Sequence, residues 1–383
     1  MQNFEYQNPV KILFGRGQIA RLAEEISAAA RILMTYGGGS IRQSGVYGQV
    51  RSALAGREVL EFGGIQPNPV YETLMRAVAV VREQRIDFLL AVGGGSVLDG
   101  TKFIAAAALF EGEPWDILKG APLDAAVPLG CILTLPATGS EMNSVSVISR
   151  KDTAEKLLFA SPHVYPRFSI LDPEATFSLP QHQIANGIVD SFAHVLEQYM
   201  TYPVNSPLQD RIAEGILLTL IREGPKTLAD PTDYDARANL MWCATLALNG
   251  LIACGVPQDW STHMIGHEVT ALYGLDHGET LAVIFPSALN ARRESKHEKL
   301  LQYAERVWDI REGDPEQRID RAIACTRQFF ESLGERTRLA DYHIGPEAAD
   351  AVAARFEKRG WAGLGERQDV SPGLVRSILA ACA

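Results

Sequence analysis

Strand-like runs alternate with helical patterns through the first half of the chain, and this alternation constrains the fold more than any other feature. Short β-branched or apolar runs recur up to residue 171, separated by segments whose apolar residues have helical spacing. Such alternation is typical of a parallel sheet with helical crossovers. We therefore predict an α/β domain whose strands span residues 11–14, 31–36, 59–62, 88–92, 130–135 and 168–171.

The pattern changes after Leu179-Pro180, where strand-like runs stop and amphipathic segments dominate. We predict helices over residues 183–199, 208–222, 236–251, 260–273, 299–307, 318–333 and 346–355. A chain of 383 residues is long enough for two domains, each with its own core. The sequence thus predicts an α/β N-terminal domain with a parallel sheet (1–179) and an all-α C-terminal domain (180–383).

Charge and cysteine content limit the partners and the compartment. The chain has 36 basic and 46 acidic residues, a net charge of −10, which argues against nucleic acid or an anionic membrane as the main partner. Its five cysteines are scattered without a CxxC pair, as in a reducing cytoplasm. No signal segment or membrane-length apolar run is evident. We expect a soluble cytoplasmic protein, by default a homodimer.

Five polar residues in the helical half are candidate metal ligands. Asp190 and His194 stand four apart and share one helix face, His263 and His267 repeat that spacing, and His277 follows. A carboxylate with three neutral imidazoles suits zinc or ferrous iron. A single His or Asp on an apolar face is more often a hydrogen-bonded core residue, but that explanation would have to hold at every one of these positions. Spacing alone leaves open which three histidines join Asp190.

Glycine-rich turns follow two predicted strands and indicate that the α/β N-terminal domain (1–179) is a dinucleotide-binding domain. At residues 93–96, three glycines and a serine join a buried strand to a helix start, where backbone N–H groups can bind a pyrophosphate. A tight turn without a ligand is the alternative. The turn at residues 37–40 offers only backbone and a hydroxyl, with Arg42 nearby and no acidic residue to hold the ribose, which favours NADP over NAD. Residues 134–141 gather small hydroxyl side chains suited to the pyrophosphate and nicotinamide side, although a structural Ser/Thr turn competes.

These runs together resemble the iron-containing (group III) alcohol dehydrogenases, in particular the NADPH-dependent aldehyde reductase and butanol dehydrogenase branch. The resemblance covers nearly the whole chain and rests on residues 13–15, 36–40, 91–102, 133–141, 186–194 and 255–277. It implies a dehydroquinate synthase-like architecture. The loop at 136–141 is shorter than the family's usual threonine-rich version, and residues 257–262 replace a run of small residues. Both departures fit the aldehyde reductase branch.

The resemblance also implies roles for individual residues. One divalent metal, zinc or iron, would be held by Asp190, His194, His263 and His277, which leaves His267 beside the substrate as the catalytic candidate. Gly38 and Ser40 would lie near the 2′-phosphate of NADP(H). The predicted cofactor contacts are Gly37, Gly38, Gly39, Ser40, Asn68, Gly93, Gly94, Gly95, Ser96, Asp99, Thr134, Thr138, Ser140, Lys156 and Leu179.

The expected function is reversible reduction of small aldehydes to primary alcohols, with a hydride from NADPH and a metal that polarises the carbonyl. One alternative is an NAD-using sugar-phosphate cyclase of the dehydroquinate synthase type. That lyase needs a basic phosphate pocket, and the helices with Asp190, His194 and His263 show no Lys/Arg cluster. A second alternative is a nucleotide-binding sensor without turnover, which loss of a metal ligand would have favoured.

Overall fold

The computed structural model describes all residues from 1 to 383, and they group into two compact units. The sheet unit comprises Gln7–Leu179 and Pro231–Thr245. The helical unit comprises Met1–Tyr6, Pro180–Asp230 and Leu246–Ala383. The chain passes from the sheet unit to the helical unit at Leu179/Pro180. Two short segments depart from this division: residues 1–6 belong to the helical unit and residues 231–245 to the sheet unit. The functional domain bounds 1–179 and 180–383 remain a prediction.

Eight strands form the sheets of the sheet unit. They are β1 (Lys11–Phe14), β2 (Ile32–Tyr36), β3 (Val59–Phe62), β4 (Phe88–Gly94), β5 (Leu129–Leu135), β6 (Val145–Arg150), β7 (Glu155–Ala160) and β8 (Phe168–Leu171). Six of them make a parallel sheet in the order β1-β8-β5-β4-β2-β3. The predicted parallel α/β sheet is therefore confirmed. The antiparallel hairpin of β6 and β7 was not predicted.

Fourteen helices complete the fold. They are α1 (Leu22–Glu25), α2 (Ser40–Gln43), α3 (Val46–Ala53), α4 (Tyr71–Glu83), α5 (Gly95–Leu109), α6 (Gln181–Tyr199), α7 (Pro207–Ala229), α8 (Tyr234–Ala247), α9 (Ser261–Tyr273), α10 (His277–Ala291), α11 (His297–Arg306), α12 (Pro315–Ser332), α13 (Glu347–Arg359) and α14 (Pro372–Ala380). No helix is both long enough and apolar enough to cross a bilayer.

The large sheet has apolar cores on both faces, as expected for parallel strands. Neighbouring residues along β2 point to opposite cores: Leu33 packs in the core that includes α4 and α5, and Met34 in the core that includes α3. Strand order reverses between β2 and β4, because β3 lies outside β2 while β5 lies beyond β4. Ligands of open α/β sheets bind at the carboxyl ends of the strands beside such a reversal.

The helical unit is built around α6 and α10. Helix α6 packs against α7 and α10, and α10 also packs against α9, α12 and α14. Both helices are buried along most of their length, α6 from Ile184 to Tyr199 with few interruptions and α10 from Gly278 to Leu289. The predicted helical character of the C-terminal part is confirmed. A polar residue that faces inward from either helix is therefore far from bulk water, which matters for the site described next.

Candidate functional site

Three helices of the helical unit bring the predicted metal ligands together. Helix α6 contributes Asp190 and His194, α9 contributes His263, and α10 begins with His277. Asp190 Oδ1 lies 3.4 Å from Nε2 of His194, 3.5 Å from Nε2 of His263 and 3.7 Å from Nε2 of His277. The structure thus gathers a carboxylate and three imidazoles from residues up to 87 positions apart (190 to 277) around one oxygen atom.

A close helix contact sets the position of His277. The next residue, Gly278, lies against Asn186 of α6, and a Cβ at Gly278 would approach the Cα and backbone oxygen of Asn186 to 2.7 Å. Real Cβ atoms do not come so near to other heavy atoms, so only glycine permits this contact. Asp276 and Glu279 form a capping box that ends the preceding loop and starts α10 here. The glycine and the cap together place His277 against α6, with its Nε2 3.7 Å from Asp190 Oδ1.

The four residues fit a divalent cation. Asp190 Oδ1 and His263 Nε2 are buried and have no hydrogen-bond partner, an arrangement that is costly unless another group satisfies them. Ligand atoms at about 2.1 Å from a tetrahedral zinc ion lie about 3.4 Å apart, which is close to the separations around Asp190 Oδ1. The ligand atoms of Asp190, His263 and His277 all lie within 4.8 Å of one another.

Burial and neighbouring charges shift the protonation of this cluster. Burial alone would raise the pKa of Asp190, but the nearby histidines, His194 foremost, outweigh it and hold the pKa well below its ordinary value. Burial lowers the pKa of His194 to about 4 despite the adjacent Asp190 carboxylate. An ionised carboxylate and a neutral imidazole are the forms that bind a cation.

Glu197, a residue that the sequence interpretation did not single out, contacts His263 directly. Its side chain accepts a hydrogen bond from the backbone N–H of His263 at 3.1 Å and contacts the ring at Nδ1. Burial lowers the pKa of His263, but Glu197 and Asp190 more than offset it and raise the pKa to about 9. Glu197 follows His194 by three residues, so helical spacing alone could have placed it on the ligand face.

His267 lies one turn after His263 on α9. Its ring centroid is 5.1 Å from that of His277 and 6.4 Å from that of His263. The ligand atoms of Asp190, His263 and His277 form the group described above, which contains neither His194 nor His267. His194 joins the site through its 3.4 Å contact with Asp190 Oδ1. Trp260, just before α9, adds an aromatic wall, with ring centroids 6.2 Å from His194 and 5.6 Å from His263.

The predicted cofactor contacts of the sheet unit gather at the carboxyl edge of the sheet. The first glycine turn ends β4 and opens α5, whose N-cap Gly94 makes no side-chain capping bond. Gly95 packs so closely on Thr138 that a Cβ would lie 2.4 Å from the threonine oxygen. The start of α5 thus presents its backbone and its positive dipole end without a side-chain cap, which suits a phosphate group. Thr134, near the end of β5, is buried, and β5 pairs with β4, the strand that leads into this turn.

Two hydrogen-bonded groups flank this turn. Lys156 donates to the side-chain oxygen of Asn68 at 2.9 Å, and the backbone N–H of Asn68 donates to the Ser96 hydroxyl at 3.3 Å. Asp99 and Ser140 instead bond to each other at 2.6 Å, and the second oxygen of Asp99 accepts the N–H of Val147. The structure therefore brings Asn68, Ser96 and Lys156 into one polar cluster, whereas the Asp99 carboxylate is engaged within the protein.

The second glycine turn lies at the end of β2. Gly38 and Gly39 have open space where a side chain would project, and Ser40 begins α2. Arg42 lies over the Tyr47 ring at 3.9 Å and forms an ion pair with Glu61 at 3.2 Å. Gly37 packs beside Val97 of α5.

Leu179, the last predicted contact, follows β8 and donates its N–H to Thr176, without a hydrogen bond to the other predicted contacts.

Comparisons with known proteins agree with this arrangement. A family model of iron-containing alcohol dehydrogenases matches residues 9–173, and the C-terminal model of the Fe-containing alcohol dehydrogenase family matches residues 184–360. The chain is 58% identical over 382 residues to the NADPH-dependent aldehyde reductase YqhD of Escherichia coli (strain K12), covering 99% of each chain. It is 44% identical to the probable NADH-dependent butanol dehydrogenase 1 of Bacillus subtilis (strain 168), covering 100% of each. The crystal structure of E. coli K-12 YqhD superposes with a TM-score of 0.99 at 56% identity, covering 100% of this chain and 99% of that one.

Proposed function

Because the chain belongs to the iron-containing alcohol dehydrogenase family, we propose that it is an NADP(H)-dependent reductase that converts small aldehydes into primary alcohols, reversibly. The observation that carries the proposal is the buried cluster of Asp190 with three histidines, found in a chain 58% identical to an aldehyde reductase. The family match favours a dehydrogenase over the sugar-phosphate cyclase alternative.

The proposed metal ligands are Asp190, His194, His263 and His277. A bound zinc or iron ion would supply Lewis acidity, which draws electron density from a carbonyl oxygen and stabilises the negative charge that develops during reduction. The chain contributes a low-polarity setting, because Asp190, His194 and His263 are all less than a tenth exposed. Charge interactions at such a site are weakly screened by water. Imidazole and carboxylate donors suit both metals, so the donor set does not decide between them.

The proposed coenzyme contacts divide into two groups. The start of α5, with Ser96, Asn68 and Lys156 beside it, would bind the pyrophosphate, since backbone N–H groups and a lysine both favour anions. Gly38 and Ser40, with Arg42 nearby, would bind the 2′-phosphate. Relatives of both coenzyme types are similar to this chain, an NADPH-dependent one in E. coli and a probable NADH-dependent one in B. subtilis. The absence of an acidic residue at 37–40 supports NADP(H).

Reduction of an aldehyde consumes one hydride and one proton, which become the new C–H and O–H bonds of the alcohol. His267 is the proposed proton donor, directly or through water. Its ring centroid lies 5.1 Å from that of His277, a proposed ligand. A histidine is suited to this role because its ordinary pKa lies close to physiological pH.

The proposal is tested by following coenzyme oxidation with a panel of short aldehydes, with NADPH and NADH in parallel. We expect oxidation of NADPH only when an aldehyde is present, with one alcohol formed for each coenzyme consumed. A cyclase returns its nicotinamide to the starting state, so it would show no net oxidation. Metal-loaded protein that oxidises neither coenzyme with any aldehyde would overturn the proposal.

We further propose a homodimer, because symmetric pairs are the commonest soluble oligomers. Light scattering coupled to size-exclusion chromatography tests it: a mass near twice the 41.8 kDa of one chain is expected, and a mass equal to one chain would refute it.

A further inference from the structure

A buried carboxylate that is not a proposed metal ligand contacts one of the ligands through two separate groups. Glu197 is 3% exposed and lies on α6, three residues after His194. One of its oxygens accepts the backbone N–H of His263 at 3.1 Å, and the other contacts Nδ1 of the His263 ring. Both oxygens of this carboxylate are therefore directed at a single residue of the next helix in the site.

This contact determines which ring nitrogen of His263 carries a proton. A carboxylate is an acceptor, so the nitrogen beside it, Nδ1, must be the donor. In the neutral imidazole, which is the form that binds a metal, the lone pair then lies on Nε2, which faces Asp190 Oδ1 at 3.5 Å and has no hydrogen-bond partner in the protein. A histidine binds a metal through its unprotonated nitrogen, and the partner of its other nitrogen fixes both the tautomer and the ring orientation.

The backbone of Glu197 holds the same region. Its carbonyl oxygen accepts the N–H of Asp259 at 2.8 Å, two residues before α9 begins. The Asp259 side chain forms ion pairs with Arg292 and with Lys296, the latter at 2.8 Å, and all three side chains are almost fully buried. The loop that leads into α9 is thus fixed to α6 at the residue whose side chain contacts His263.

We propose that Glu197 is a positioning residue, which holds the His263 ring with its Nδ1 protonated and its Nε2 free for the metal. The proposal rests on the function proposed above, since it requires that the cluster around Asp190 binds a metal. It concerns a residue outside the ligand set, and it accounts for a buried charge that the reaction itself does not use.

Substitution of Glu197 by glutamine tests the proposal with minimal change in volume. Glutamine has one acceptor oxygen for two N–H donors of His263, so either the backbone or the ring loses its partner, and an amide N–H facing Nδ1 would favour the other tautomer. The assay is Zn²⁺ affinity of metal-free protein, measured by competition with a chromophoric chelator. We expect Glu197→Gln to weaken the Zn²⁺ Kd by about 10- to 100-fold. The NADPH affinity of the variant should stay near that of wild type.

A matched control separates positioning from a general effect of removing a buried charge. Glu214 on α7 is also 3% exposed, and its carboxylate binds Tyr199 and Arg306 but none of the ligands. Glu214→Gln should leave the Zn²⁺ Kd unchanged. Equal losses in the two variants, or a Glu197→Gln variant that binds Zn²⁺ as wild type does, would overturn the proposal.

A second pair covers the case in which Glu197→Gln does not fold. Glu197→Asp keeps both oxygens but sets them back by one methylene, so it should bind Zn²⁺ more weakly than Glu214→Asp, and equal binding would refute positioning. Failure of the proposed function gives a different result: wild type itself would bind no Zn²⁺. Wild-type binding with an unaffected Glu197→Gln variant removes the positioning role alone.

Discussion

The close contact between Gly278 and Asn186 allows the metal centre to be tested by adding a single methyl group, through the substitution Gly278→Ala. In Gly278→Ala the new Cβ would lie 2.5 Å from the side-chain oxygen of Asn186 and 2.7 Å from its Cα and backbone oxygen. Two of these three atoms belong to the backbone of α6, so a rotamer change alone does not relieve the overlap. The first turn of α10 must move away by about 1 Å to reach ordinary contact distances.

That displacement is large on the scale of metal coordination, which tolerates about 0.2 Å. Overpacking of this kind costs about 1–3 kcal/mol. If α10 moves away from α6 and so relieves this overlap, His277 can bind the metal only when α10 returns, which restores the overlap and its energetic cost. The expected loss of metal affinity is therefore about 5- to 150-fold. Loss of turnover at limiting metal should follow, because His277 is a proposed ligand.

Gly215 on α7 provides the control, since a Cβ there meets nothing within 4 Å and its residue is exposed. Both substitutions replace a helical glycine by alanine. Gly215 lies inside α7, where alanine gains about 1 kcal/mol of helix propensity, and Gly278 lies in the first turn of α10, where the gain is smaller. Zn²⁺ competition and thermal unfolding are measured on both variants. Gly215→Ala should bind metal as wild type does and unfold at an equal or higher temperature. Wild-type metal affinity in Gly278→Ala would refute the argument that this contact positions His277.

Three further predictions concern other parts of the molecule. Arg42→Ala should raise the KM for NADPH several-fold and leave the KM for NADH unchanged, because only NADPH carries the 2′-phosphate. Steady-state kinetics with both coenzymes tests this. An equal rise in both KM values would exclude a phosphate contact. His267→Ala should lower turnover by about 100-fold or more while the metal content stays constant, and an unchanged rate and pH profile would remove the proton-donor assignment. Burial, with Glu279 and Asp276 nearby, raises the pKa of Glu335 to about 7. The folded state therefore keeps a proton that the unfolded state loses from about pH 4.5 upward. Above pH 7 this difference lowers the free energy of unfolding by about 3 kcal/mol at most. Glu335→Gln should therefore raise the unfolding temperature of metal-free protein at pH 8 but not at pH 4, and an equal rise at both would contradict the shifted pKa.

The sequence predicted the central sheet well because its strands are short, mostly apolar runs separated by segments with helical spacing. Strands β1, β3 and β8 have the predicted bounds, and β4 extends two residues further, into the glycine turn. The hairpin of β6 and β7 was missed for a physical reason. Its residues alternate between buried and partly exposed, and polar side chains such as Ser146 occupy buried positions, so no apolar run marks it.

Helix α10 was missed for the opposite reason. Nearly every residue from Gly278 to Leu289 is buried, so the segment has no polar face and no 3.6-residue alternation. Pro286 lies inside it, which in sequence indicates a break. Helix α7 likewise continues through Pro225 to Ala229, beyond the predicted end at residue 222.

The candidate site, too, was predicted only in part from the sequence. Spacing alone placed Asp190 and His194 on one helix face, because one helix carries both. It did not show which three of the four histidines join Asp190, since that depends on which faces of α6, α9 and α10 meet. The same spacing rule places Glu197 on the face of Asp190 and His194. A role for this glutamate can be inferred only when the residue that it contacts on the neighbouring helix is known. Contacts between distant segments, such as Glu197 with His263, are what the sequence pattern does not contain.

Metal content measured together with turnover tests the central claim most directly. Protein purified without chelator is subjected to elemental analysis, and NADPH oxidation with an aldehyde is followed on the same sample, for wild type and for Asp190→Asn. We predict one divalent metal per chain in wild type, and loss of both metal and turnover in Asp190→Asn with NADPH binding retained. Aldehyde reduction that persists in a metal-free Asp190→Asn protein would contradict the account.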